Sequence, residues 1–169
     1  MTIGLRTVSA DDWRAWRSVR LAALNDAPGA FGSRLQEWAD APDNRWRDRL
    51  SIPGAIDLLA VDIDRNAVVG MATGTPFKDR ASRAELISMW ADPAVRGRGV
   101  ATALITAIAR WAASTGATTL ALSVMPDNVA ARRTYERNGF AVEPGDVLSR
   151  GQRELVMLRD LSPEHTVSR

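Results

Sequence analysis

The chain is 169 residues long and 46% hydrophobic, enough for one domain whose core needs neither metal nor disulfide. It has no cysteine, which excludes disulfides, thiolate metal sites and a cysteine nucleophile, and fits a reducing compartment. Formal net charge is only +2, and the sequence pI of about 9.9 reflects the high pKa of arginine, because Lys78 is the only lysine among 22 basic residues.

The arginines are interspersed with Asp and Glu, so no nucleic-acid face is expected. The N-terminus has no basic segment leading into a long apolar run, and no window approaches the roughly 20 apolar residues that span a bilayer. A soluble, cytoplasmic protein without membrane contact is the expectation. The expected organisation is a single domain over residues 1–161 with a disordered polar tail over 162–169. His165 falls in that tail, so it reads as solvated, and no metal site is expected.

Residues 5–8 alternate as a short edge strand, and Ser9, Asp11 and Asp12 then make a helix start with an acidic first turn. Trp13, Trp16, Arg20, Ala23 and Leu24 recur at helical spacing, which predicts a helix over 10–24 that buries its tryptophans and is broken by residues 25–29. A short helix over 33–39, with Ser33 and Gln36 at capping-box spacing, and another over 44–50 after Pro42 and Asp43 follow. This helix-loop-helix region is either the wall of a substrate pocket or the cover of one sheet face.

From residue 56 the period becomes that of strands. Residues 58–63 and 67–75 form a hairpin with a three-residue loop, and residues 85–91 add a third strand. Val100, Leu104, Ile105, Ile108, Trp111 and Ala112 mark one face of a helix that Gly116 ends. Residues 118–124 then form a buried strand parallel to 85–91, reached by a right-handed crossover. A second helix over 128–138 is closed by Gly139, and residues 140–142 and 153–159 read as a closing hairpin through turns at Pro144-Gly145 and Ser149-Arg150-Gly151.

The fold class is therefore α/β (α+β): a mixed, mostly antiparallel twisted sheet of about six to seven strands flanked by about four helices. Its chemical signal lies between the parallel strands, where Glu85-Leu86-Ile87-Ser88-Met89-Trp90-Ala91 meets Asp92-Pro93 and then Arg96-Gly97-Arg98-Gly99-Val100-Ala101 at a helix start. Glycines permit close backbone approach, and the helix supplies unpaired N–H groups and the positive end of its dipole, so a phosphate is the expected guest. No Gly-Lys-Ser/Thr follows, which disfavours nucleotide triphosphatases, and Thr102 stands where the dinucleotide fingerprint needs its third glycine.

This loop resembles the acyl-CoA signature Gln/Arg-x-x-Gly-x-Gly/Ala of the GCN5-related N-acetyltransferases, with Ala101 at the last position. Their second signature is matched by Asn128, Ala131, Tyr135, Gly139 and Phe140. The resemblance is most secure over residues 85–140 and weakest over the first 55 or so. It implies an acetyl-CoA-dependent N-acetyltransferase whose sheet is splayed at the cofactor site. Pyrophosphate would lie against the backbone of residues 96–101, with Arg96 or Arg98 adding charge, and pantetheine would run along Met89, Trp90 and Ala91. Asn128 would hold the pantetheine arm, with a helix N-cap as its alternative, beside Ala131.

Tyr135, the only tyrosine, is implied as the general acid for the departing thiolate. Some members carry a glutamate base at the position of Ser123, which cannot act so. Glu85 matches a second location and becomes the candidate base, directly or through water, against a solvated strand end or an ion pair with Arg83. Neither a cysteine nor a Ser-His arrangement offers a covalent route, so direct attack in a ternary complex is expected. A small-molecule primary amine is the expected acceptor. A protein or peptide acceptor, and a non-catalytic acyl-CoA-binding module, are the alternatives. The tryptophan-rich helices and closing strands offer surface for a homodimer.

Overall fold

The computed structural model describes residues 1–30, 34–144, 147–149 and 152–162. Ser33, Gly145, Arg150, Gly151 and the tail from residue 163, His165 included, lie outside the described residues, and with them the Ser33 capping box and parts of both closing turns.

Strand β1 (Ile3–Val8) forms the sheet edge and leads through a 3-10 turn (Ala10–Asp12) into α1 (Trp13–Asp26). The Asp12 carboxylate accepts the Ser9 N–H at 2.9 Å, the capping contact that the spacing predicts. Helix α1 runs two residues past the expected end, through Asn25 and Asp26, and stops where Pro28 forces Ala27 out of helical conformation (φ −134°, ψ 67°). Helices α2 (Leu35–Ala39) and α3 (Asp43–Arg49) follow. Asp43 in the first turn of α3 and Arg47 and Arg49 in its last complement the helix dipole.

The remaining strands are β2 (Ile56–Asp62), β3 (Ala67–Pro76), β4 (Arg83–Ala91), β5 (Thr119–Val124), β6 (Ala141–Val142), β7 (Val147–Ser149) and β8 (Gln152–Asp160). They run in the order β1-β2-β3-β4-β5-β8-β6, with β7 paired to β8 outside that path. All pairs are antiparallel except β4 with β5, which α4 (Val100–Ser114) joins as the expected crossover; α5 (Val129–Arg137) follows β5. Two details differ from expectation. Asp62 pairs with Ala67, so the β2–β3 loop has one residue more than expected, with Asn66 left-handed at φ 51°. The closing strands include β7 as well, and β8 inserts between β5 and β6.

Alternation divides the sheet cleanly. Leu58, Ala60, Ala72, Leu86, Leu120 and Leu122 pack on α4 in one core. Leu59, Met71 and Trp90 face the other way, onto Trp13, Trp16 and Trp46 of the first helices. Helix α4 seats closely because β3 is bare beneath it: a Cβ at Gly74 would stand 2.6 Å from the Trp111 ring.

Candidate active site

β4 and β5 are paired only from Arg83–Thr119 to Glu85–Ala121. Beyond Glu85, β4 keeps its bonds to β3 while β5 continues along β8, so the two parallel strands part. The cause is a β-bulge. Thr73 pairs with Ile87 and Met71 with Trp90, so three steps on β4 oppose two on β3, and Ser88 takes up the extra residue at φ +53°. Asp92 N–H donates to Val69, so alternation turns the polar groups of Ala91 away from β3. Its carbonyl instead accepts Arg96 Nε at 3.2 Å.

The strand ends in a 3-10 turn, Pro93–Val95, capped by the Asp92 carboxylate, which accepts the Ala94 N–H at 2.9 Å. Gly97 (φ 79°) and Gly99 (φ 87°) then carry the chain into α4 in left-handed conformation. A Cβ at either would meet no protein atom within 4 Å, so backbone conformation is what calls for glycine, and the loop presents bare main chain at the helix N-terminus. Gly99 takes the N-cap position without a side-chain cap and Val100 is buried, while Ala101 lies half-buried in the first turn. Both arginines are exposed, and they differ in that Arg96 holds a carboxylate. Arg96 Nη2 donates to Asp26 at 2.6 Å, a carboxylate that also accepts Trp90 Nε1 at 3.0 Å.

On α5, Asn128 Oδ1 accepts the Ala131 N–H at 3.2 Å, so the N-cap role is realised. Met89, Ala91, Ala131 and Tyr135 are half-buried against one core cluster, the one that also holds the buried face of α4. Trp90 points to the opposite face, into the cluster of the first helices. Tyr135 meets Phe140 edge-on at 5.9 Å, and desolvation pushes its phenol up to about 12.

Glu85 lines a cavity of about 360 Å³ on the face opposite α4, together with Phe77, Arg83, Ser123 and Glu143. Arg83 pairs with Glu143 at 3.5 Å. Sequence reasoning missed Glu143, Asp26 and a buried group in which Arg49 Nη1 donates to Asp57 at 3.2 Å and Nη2 to Thr73 and Ser88, each at 3.0 Å. Two signals pointed to that group: Arg20 on the apolar face of α1, and Asp57 within an apolar strand run.

The model of the acetyltransferase (GNAT) family matches residues 13–140. A mycothiol acetyltransferase of Mycobacteroides abscessus is 37% identical over 124 residues, 73% of this chain and 40% of that protein. The chain thus spans about 40% of the length of the curated relatives it matches. Among solved structures, a GCN5-related N-acetyltransferase from Kribbella flavida superposes with a TM-score of 0.69 at 26% identity, covering 94% of this chain and 97% of that one. A phosphinothricin acetyltransferase of Sinorhizobium meliloti, solved with acetyl-CoA, shares the fold at a TM-score of 0.74 and 20% identity, over 100% of this chain and 93% of that one.

Proposed function

Because the chain belongs to the acetyltransferase (GNAT) family, we propose that it transfers the acetyl group of acetyl-CoA to the primary amine of a small molecule by direct attack. The observation that carries this reading is the parting of β4 from β5 on the strand that ends in the glycine turn and the start of α4. A thioester arm laid in that gap meets the main chain of Met89 and Ala91, and its phosphates reach main-chain N–H groups of the glycine turn and of the first turn of α4. Exposed Arg98 supplies the mobile charge, while Arg96 is committed to Asp26. Asn128, its Oδ1 used as a cap, keeps its amide NH2 for the pantetheine arm.

The amine lone pair attacks the thioester carbonyl carbon as the C–S bond breaks. Main-chain N–H groups at the bulge stabilise the charge that builds on oxygen. Glu85, directly or through water, takes the amine's proton. Tyr135 fills the place expected of the general acid. Its phenol stays protonated at any working pH and donates to the departing sulfur. A phenol near 12 is a weaker acid than a thiol near 8.5, so its contribution is a hydrogen bond that strengthens as charge reaches sulfur. The cavity of about 360 Å³ beside Glu85 suits a small acceptor better than a folded chain.

Saturating acetyl-CoA should raise the melting temperature, with a gain of about 2.7 kcal/mol at 100 times Kd. A screen of primary amines for CoA release should then find acceptors. Failure of acetyl-CoA to bind in a calorimetric titration sinks the reading.

A further inference from the structure

The geometry points to Arg49 as the residue that recognises a carboxylate on the acceptor, making the acceptors small zwitterions that carry a carboxylate close to the reacting amine. This inference rests on the transferase reading above. Arg49 ends α3 and reaches the sheet, where its Nη2 holds the hydroxyls of Thr73 and Ser88 and its Nη1 holds Asp57. Ser88 is the bulge residue itself, next to Met89, so the guanidinium stands within one residue of the main chain assigned to the thioester. The side chain is 13% exposed against 4% for Asp57, so the arginine is the member of the pair that keeps a reachable surface.

The surroundings favour an incoming anion. Arg20 is buried nearby at 8% exposure, and its guanidinium is pushed down to about 10, first by burial and then by the charge of Arg49. The Arg49 guanidinium lies 5.1 Å from the centre of the Trp16 ring, and the indole N–H groups of Trp16 and Trp46 are buried without an acceptor. Asp57 is already engaged by Arg49 and by the Thr73 hydroxyl at 2.6 Å. A carboxylate accepts only, and a guanidinium with five N–H donors, three of them used, can still offer two.

Register sets the second half of the argument. Thr73 and Thr75 share one face of β3, about 7 Å apart along the strand. Thr73 lies beside Arg49 and Thr75 pairs with Glu85, which lines the cavity with Glu143. An acceptor can thus set its carboxylate toward Arg49 and its amine toward Glu85 without turning over.

The test compares α-amino acids with their carboxamides and with the matching decarboxylated amines, reading kcat/KM for CoA release from acetyl-CoA. The free acids should exceed both partners at least tenfold. Carboxamides have the more easily deprotonated amine, so intrinsic reactivity works against this outcome. Arg49→Lys, checked for its melting temperature, should erase most of that ratio while acetyl-CoA affinity holds. Equal or reversed preference in the wild-type protein overturns the carboxylate assignment and leaves the transferase standing. Transfer to none of the three sets, with acetyl-CoA still bound, also overturns it. Absence of acetyl-CoA binding removes the transferase reading as well.

Discussion

Tyr135 is the sole tyrosine of the chain, so its ionisation can be read in the intact protein by alkaline ultraviolet difference spectroscopy. Desolvation pushes the phenol up to about 12 from an ordinary value of 10.0. That difference corresponds to about 3 kcal/mol disfavouring the tyrosinate in the folded chain. At pH 11 about a tenth of the phenol should then be ionised, against about nine-tenths for a solvated one. The sign for stability follows. Below about pH 10 the ring is protonated in both folded and unfolded chains; between 10 and 12 only the folded chain keeps the proton, so stability falls as pH rises through that window. The same shift keeps kcat free of any limb from loss of the phenol proton below about pH 11. Tyr135→Phe keeps the ring against Phe140 and should lower kcat by roughly 100-fold while acetyl-CoA affinity moves less than about twofold. Ionisation of Tyr135 near pH 10 in the folded protein would refute the desolvation argument, and unchanged kcat in Tyr135→Phe would remove the phenol from the chemistry.

Gly99→Ala places a Cβ on left-handed backbone in open space, so strain alone should cost about 1 kcal/mol in denaturant unfolding. Acetyl-CoA affinity should fall with it, because relieving the strain turns the first N–H groups of α4; unaltered affinity on calorimetry would mean that the conformation is not used. Gly74→Ala drives a Cβ into the Trp111 ring and should destabilise by about 2 kcal/mol, or about 5 °C in melting temperature. Adding Trp111→Leu should restore part of that loss, and a failure to do so would place the strain elsewhere.

What could be read from the sequence was local. Caps, glycine stops and periodicity located the elements, and the spacing of Gly97, Gly99, Asn128 and Tyr135 marked the loop that leads into α4 and the helix that follows β5. What could not be read depends on contacts between distant residues. Asn25 and Asp26 are poor helix formers and suggested an earlier end to α1. The helix nevertheless runs on, and Asp26 meets Arg96 across 70 positions and Trp90 across 64. Arg49 and Ser88 are 39 apart, on a helix and a strand whose approach no local pattern announces.

The bulge at Ser88 is the clearest case, because one extra residue reverses every side chain after it. In a regular strand Met89 and Ala91 would continue the face of Glu85 and Ile87, toward the tryptophans, and Trp90 would enter the α4 core. Instead Met89 and Ala91 pack against the α4 core, while Trp90 turns to the first helices and donates to Asp26. The same residue bends β4 away from β5 and presents its hydroxyl to Arg49. A sequence that reads as seven ordinary strand residues thus opens the gap proposed for the thioester and orders the wall proposed for the acceptor, and both follow from a backbone choice that serine does not advertise.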